Sequence, residues 1–533
     1  MATSSAPGAP VLVAQDSFSA GNWTAPSHQR VGSHSLAATV TAYALATLLL
    51  YVAYEQFSFW SMRRKGGGKV VPGPRFPVPL LGGLVPMVMD PYKFWEDQRK
   101  FSFPGFSYNS ILGKFMIFIT DVDISRHVFS YNGHDSLLMA VHPSGKNILG
   151  PQNLAFMHGP AHKAIRKSFL ALFTRKALGT YVQLQDGIIR RHLADWMNEF
   201  SGREVDIRSY IRDMNAATSQ EVFAGPYLGD EKTRAKVSQS FADMTTAFLA
   251  FPLCLPGTAV WAGRQGRLFI LKVLEKGAGQ AKAAMKAGGE PRCLMDFWAV
   301  RCLEEMREAE EKGVPPPGHT TDHAMADTVM DFLFASQDAS TASLVWMVCL
   351  MAGHPDVLAK VREEQLRVRG SPDAPVTGEV LSQMTYTRQV VKEVLRLRPP
   401  APMVPQWAMR DFELPGGYTC PKGSLIMPSL IASTMQGYPD ADKFDPDRFA
   451  NDDMTFQKYF LTFGHGPHYC VGKEYAINHL TAFIAILATS CDWTRRLTER
   501  SRDDGINWQY LPTIYPADSH ITMQYSKPAK AAA

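Results

Sequence analysis

Cysteine is scarce and scattered in this sequence. Seven cysteines stand among 533 residues (Cys254, Cys293, Cys302, Cys349, Cys420, Cys470 and Cys491), an odd number with no C-x-x-C pair. That excludes a disulfide framework and a zinc ribbon, and fits a reducing compartment for the main body. Strong charge of one sign is missing too. A formal net charge of +5 over this length argues against a dedicated nucleic-acid binder, which concentrates basic residues on one face. Flavin and nicotinamide fingerprints are absent, and Gly464-x-Gly466 has no Rossmann-like unit before it. No break in composition after Asp90 marks a second domain.

Apolar material is abundant: 46% of residues are hydrophobic and 11% aromatic, enough for a large core. Residues 1–35 are rich in Ala, Ser, Gly and Pro and read as a disordered tail. Residues 36–56 read as a membrane anchor. Leu36 to Tyr54 is free of charge and spans about 28 Å as a helix, against a bilayer core of ~30 Å. A cleaved signal peptide is the rival, but the apolar run starts late and lacks a basic n-region. Arg63, Arg64, Lys65 and Lys69 follow, so the positive-inside rule keeps the remainder cytosolic. Asn22-Trp-Thr24 is then a glycosylation sequon on the lumenal side. Residues 57–71 read as a basic linker, and Pro72-Gly-Pro74 with Pro77 and Pro79 as a stiff hinge into a body of residues 72–533.

One stretch carries chemistry: Phe463 to Gly472, Phe-Gly-His-Gly-Pro-His-Tyr-Cys-Val-Gly. After it, Tyr475, Ala476, Leu480, Phe483, Ile484 and Leu487 recur at helical steps. Cys470 is thus placed in a tight loop feeding a helix N-terminus, where backbone N–H groups and the helix dipole favour a thiolate. A thiolate in a glycine-lined turn suits an iron ligand approached by a flat macrocycle. A buried structural cysteine is the plainer alternative.

Phe463-x-x-Gly466-x-His468-x-Cys470-x-Gly472 resembles the haem-binding signature of the cytochrome P450 family, with His468 where an arginine is usual. A neutral imidazole donates one hydrogen bond in place of a guanidinium fork. The resemblance covers roughly residues 72 to 525. It implies a mainly α fold with small β-sheets (α+β), haem b with Cys470 as axial thiolate, and Phe463, Gly466, His468 and Gly472 as cofactor-binding residues. His162-x-x-x-Arg166, one face of a helix, resembles the family's Trp-x-x-x-Arg and implies two further propionate partners; a solvated basic face is the alternative. Glu393-x-x-Arg396 and the Arg448 of Phe-Asp-Pro-Asp-Arg448-Phe imply a buried charge triad holding the cysteine loop.

Asp331 to Leu350 is a long apolar helix interrupted by Ser336-Gln-Asp-Ala-Ser-Thr341, a costly insertion unless it serves something. It resembles the family's oxygen-binding helix, with Ala339 in place of the usual threonine. The implied proton relay uses Asp338 with Ser340 or Thr341; helix–helix hydrogen bonding is the alternative. Position in the family fold implies Phe332, Ala335, Met403, Val404 and Ile514 as substrate walls, although core packing accounts for each equally well. Phe248 to Pro256 is apolar and reads either as core or as a segment dipping into a bilayer.

Phe334-Ala-Ser-Gln-Asp-Ala-Ser-Thr341, Gly466-Pro-His468 and Leu172-Phe-Thr-Arg-Lys-Ala-Leu178 are similar to the sterol 22-desaturase branch. That implies insertion of a double bond between C22 and C23 of a sterol side chain. Dioxygen and NADPH are co-substrates, with electrons from NADPH-cytochrome P450 reductase docking near Arg166 or Lys473. The implied location is the endoplasmic reticulum membrane. Rival readings are a sterol 14-alpha-demethylase or other lipophilic monooxygenase, a haem-dependent isomerase, and a sterol-binding membrane protein.

Overall fold

Helices carry most of the chain, as the periodicity after Gly159 predicts. The computed structural model describes residues 33–65, 69–101, 103, 105–131, 136–139, 143–451, 457–501, 507–511 and 513–526. Most of the expected disordered tail, and the Asn22 sequon within it, lie outside these residues. The chain divides into two units, one up to Tyr54 and one from Glu55 onward.

The first unit holds most of an apolar helix, Ser33–Met62. Its Leu36–Met62 segment is long and apolar enough to cross a membrane, and Leu36, Tyr43, Leu49, Leu50 and Tyr54 are exposed. The helix continues past the expected anchor. In the second unit, Phe59 packs with Val71, Tyr108 and Phe115, and Arg63 donates to the carbonyls of Val71 and Pro74. Much of the expected linker is therefore folded: its basic residue caps carbonyls that a free linker leaves to water.

A five-stranded mixed sheet runs in the order Phe106–Ile111, Lys114–Ile119, Leu425–Pro428, Gln406–Ala408, Leu137–Met139. The first two strands form a hairpin, and Lys114–Ile119 also pairs in parallel with Leu425–Pro428. Lys114–Ile119 is buried at every position after its lysine, as a near-continuous apolar run predicts. A three-stranded sheet and two hairpins complete the sheets among the described residues.

The organising element is the 31-residue helix Asp322–Ala352. Thr321 caps it, its Oγ1 accepting from Ala324 N–H. Nearly all of its second half is buried, so it shows no amphipathic stripe. It packs on the helices Ile207–Phe223, Ala259–Lys286 and Lys473–Ser490. The last of these also packs along Arg175–Phe200. Trp346 and Phe483 are among the largest fully buried side chains in this core.

Candidate active site

The cysteine loop is built from backbone turns. Gly464 and Gly466 both adopt φ of 73°, a left-handed conformation that glycine takes without strain. A Cβ at Gly466 would meet the Phe129 carbonyl oxygen at 2.5 Å, so glycine there also permits a close approach. Cys470 N–H donates to Phe463 O at 2.9 Å, closing the loop, and the Lys473–Ser490 helix starts three residues after the cysteine.

A buried charge cluster supports this loop, as the resemblance implies. Arg396 donates from Nε and Nη2 to the two carboxylate oxygens of Glu393 at 2.7 and 2.8 Å. Arg448 Nε adds a bond to Glu393 Oε1 at 3.1 Å. Arg396 Nη1 then reaches Ala441 O and Arg448 Nη1 reaches Pro439 O, both at 2.7 Å. Two guanidiniums thus tie the segment before the loop to one carboxylate.

Of the seven cysteines, Cys470 alone is exposed. It lies deep in the protein and faces a cavity of about 320 Å³ whose lining it shares with Phe129, Phe173, Phe223 and Phe332. The plainer reading, a cysteine packed into aliphatic core, does not hold. The thiolate expectation needs one correction. Burial pushes the Cys470 thiol up, while the Gly472 N–H and the charges of Arg166 and Lys473 only partly offset it. The loop by itself favours the thiol; a coordinated cation is what removes its proton.

The central helix supplies the opposite wall. Phe332, Ala335, Ser336, Ala339, Ser340 and Ser343 line the cavity, one face of a 3.6-residue helix. Ser336 Oγ lies 2.9 Å from Ser219 Oγ and 3.0 Å from Leu333 O, with one proton to place between them, and Ser343 donates to Ala339 O. Ser340 is on the same wall. Asp338 and Thr341 are not on it. Asp338 Oδ2 accepts from Thr245 Oγ1 at 3.2 Å, and the residue lines a separate groove. Thr341 is fully buried, donating to Gln337 O and accepting from Asn215 Nδ2. Both lie about 100° or more around the helix from the inward face, so of the three expected relay residues only Ser340 reaches the cavity.

The wall residues divide in the same way. Phe332, Ala335 and Val404 line the cavity. Met403 instead packs beside Phe94 and Phe118. Ile514 is fully buried, with its N–H bonded to Pro400 O and its carbonyl to Trp346 Nε1. Neither residue lines the cavity: Met403 is half-buried against a separate cluster and Ile514 sits in the main core. The Phe248–Pro256 stretch is largely surface: Leu249, Phe251, Leu253 and Leu255 are exposed, which removes the core reading.

Among the expected cofactor residues, Phe463, His468, Cys470 and Gly472 line the cavity, whereas Gly466, His162 and Arg166 do not. His162 stacks behind His468 with ring centroids 4.2 Å apart. Arg166 donates from Nη2 to Tyr469 O at 2.6 Å, which holds it beside the loop. Sequence reading missed a third imidazole, His158, 5.0 Å from the His468 ring; it lies one turn before His162, a spacing that was visible. Burial, then neighbouring imidazoles and Arg166, lower His468 to about 3 and His162 to about 4.

This donor set fits a haem. A thiol opens onto a cavity with small side chains on the facing wall, a glycine-shaped loop beneath, the imidazoles of His465 and His468 on its lining, and Arg166 bonded to the loop. No carboxylate lines the cavity among the described residues, so an anionic cofactor edge meets no like charge. Across the loop, Arg126, Arg388, Lys392 and Lys473 line a groove of about 420 Å³.

Comparisons agree with this geometry. A sequence-family model described as cytochrome P450 matches residues 71–506. The chain is 40% identical to cytochrome P450 710A4 of Arabidopsis thaliana, over 92% of this chain and 97% of that protein. It is 35% identical to the C-22 sterol desaturase erg5 of Aspergillus fumigatus, over 89% and 92% of the two. A solved retinoic acid bound cyanobacterial CYP120A1 superposes with a TM-score of 0.71 at 25% identity, covering 86% of this chain and 99% of that one.

Proposed function

The chain belongs to the cytochrome P450 family of haem-thiolate oxidoreductases, and from that premise we propose that it introduces the C22–C23 double bond into a sterol side chain. The observation that carries this reading is the near full-length similarity to C-22 sterol desaturases, 34–35% identical over about nine-tenths of the chain. The cavity supports it, being lined by phenylalanines and small residues that suit an aliphatic side chain.

Haem, when bound, supplies dioxygen activation and hydrogen abstraction. The chain's own residues do the rest. Cys470 would hold the iron, its loop shaped by the N–H bond to Phe463 O and by the Glu393–Arg396–Arg448 cluster. His468 would meet the carboxylate edge of the cofactor, with His162 stacked behind it and Arg166 bonded to the loop. Phe129, Phe173, Phe223 and Phe332 exclude water and hold the reacting carbons. Ser340 Oγ stands in the cavity as a proton donor. Overall, two hydrogens leave adjacent carbons and two reducing equivalents arrive from NADPH, so dioxygen ends as two waters.

Electrons come from NADPH-cytochrome P450 reductase, for which the groove lined by Lys473, Arg388 and Lys392 is the docking face. Arg166, bonded to the loop, is not part of that groove. The apolar helix anchors the body of residues 72–533 in the endoplasmic reticulum membrane, and the exposed Leu249–Leu255 apolar segment touches the bilayer from which a sterol is taken.

The test is reconstitution with reductase, NADPH and an ergosta- or stigmasta-type sterol. A 22-ene product is expected. Alcohols alone, or loss of the 14-methyl group, would transfer the chain to the hydroxylases or demethylases. Turnover without NADPH and reductase would point to an isomerase.

A further inference from the structure

Behind the cavity, four helices meet around polar side chains that have too few partners. Gln185 and His479 are fully buried. Both ring nitrogens of His479 have no hydrogen-bond partner among the described residues, and Gln185 and the Tyr475 hydroxyl have no more than each other and Ser219. The Tyr475 and His479 rings lie parallel, 6.1 Å apart. Gln185 and Ser219 are near enough to act on the Tyr475 hydroxyl, although burial dominates and drives it to about 12. Ser219 is bonded to Ser336 Oγ at 2.9 Å. Tyr475 and Ser336 both line the cavity, so the cluster opens onto it.

The cluster also points outward. Asn215 bridges Ser336 and Gln337 by donating to both carbonyls, while its own Oδ1 and the Gln337 amide nitrogen are again orphaned. Gln337 lines a solvent groove of about 1030 Å³. Orphaned buried polar atoms carry a desolvation penalty that native interiors relieve with bound water. A buried water takes two to four such partners, and these residues offer them from groove to cavity.

We propose that this four-helix junction is a hydrated chamber whose water Gln185 and His479 hold in place, and that Ser219, Ser336 and Tyr475 pass protons through that water into the cavity. The path stands in for an acid that the structure turns away: Asp338 faces Thr245 and Ala339 carries no hydroxyl. Each transfer moves a proton along hydroxyl and water oxygens. Every hydroxyl accepts one proton as it releases its own, so no residue ends charged and nothing is oxidised. Burial lowers His479 to about 4, which keeps its imidazole neutral near pH 7, a hydrogen-bonding wall and not a charge trap. The use of the path rests on the family's dioxygen reduction; the water does not depend on the sterol reading.

The full haem-loaded chain tests both parts. A high-resolution crystal structure is expected to show ordered water bonded to Gln185 and His479; a dry junction overturns the proposal. Tyr475→Phe and Ser219→Ala each remove one hydroxyl with little change in volume. Both are expected to raise hydrogen peroxide released per NADPH severalfold and to change the solvent deuterium isotope effect, with haem content and melting temperature retained. Unchanged peroxide and isotope effect in both variants would overturn the relay even with water present. If Tyr475→Phe fails to take up haem, Ser219→Ala decides alone. Because the readout is peroxide and isotope effect with whatever lipophilic substrate is turned over, failure here is separable from a wrong sterol assignment, which is read from the product.

Discussion

Two glycines of the Phe463–Gly472 turn region share one backbone conformation but not one environment, which makes them an internal control. Gly464 and Gly466 both have φ of 73°. A Cβ at Gly464 meets nothing within 4 Å, whereas one at Gly466 sits 2.5 Å from the Phe129 carbonyl oxygen, where ordinary contact begins at 3.4 Å. Gly464→Ala therefore carries only the left-handed penalty, about 1–2 kcal/mol. Gly466→Ala carries that penalty plus the cost of overpacking, ~1–3 kcal/mol, so roughly 2–5 kcal/mol in all. The obstacle is backbone, which has no rotamer with which to yield, so the loop must move and carry Cys470 with it. The assay is haem-to-protein ratio and the reduced-CO Soret band of the purified chain, with thermal unfolding alongside. Gly464→Ala is expected to keep most of its haem and a haem-thiolate spectrum; Gly466→Ala is expected to lose both. Equal losses in the two variants would refute the steric argument, and no loss in either would refute the geometry of the turn.

Other outcomes follow from the same geometry. Cys470→Ala is expected to abolish the haem-thiolate band of the reduced-CO complex while circular dichroism stays helical; survival of the band would remove the ligand assignment. Glu393→Gln strips the charge that two buried guanidiniums share, and breaking such pairs costs about 3–5 kcal/mol, to be read as a fall in melting temperature and in haem retention. Ser340→Ala is expected to raise peroxide release without a change in melting temperature, whereas Thr341→Ala, which removes a buried hydrogen bond to Asn215, is expected to lower stability by about 1–2 kcal/mol with little effect on coupling. Burial, opposed by the Leu154 N–H, holds the Asp331 carboxyl well above the usual range. A raised folded pKa means stability that is present below the unfolded value and lost as pH rises, so wild type should lose stability relative to Asp331→Asn between about pH 4 and neutrality. A flat difference across that window would show that Asp331 titrates normally.

Much of this site was legible because it depends on short-range rules. The Phe463–Gly472 turn needs glycine at two positive-φ positions, and the buried triad needs an acid three residues before a guanidinium on one helix. What stayed hidden is rotation and long-range contact. Asp338, Ser340 and Thr341 are adjacent in sequence, yet a helix turns about 100° per residue, and only the packing of Asn215 and Thr245 decides which of them faces inward. Met403 and Ile514 are apolar like true wall residues, so type alone does not separate them; the clusters they pack into do. Phe129, Phe173 and Phe223 come from distant segments with no motif of their own. The Phe248–Pro256 stretch has the composition of core, and its exposure follows only from the fold around it.

Between Ala335 and Ser343 the central helix gives the cavity no side chain larger than a hydroxymethyl group. Its contribution there is close to bare backbone, a smooth ceiling of constant height. The outline beneath it is cut by aromatic rings from other parts of the chain, Phe129, Phe173 and Phe223 among them. Shape discrimination and clearance are thereby assigned to different segments: exchanging a ring redraws what fits, while enlarging Ala339 lowers the ceiling for every occupant alike.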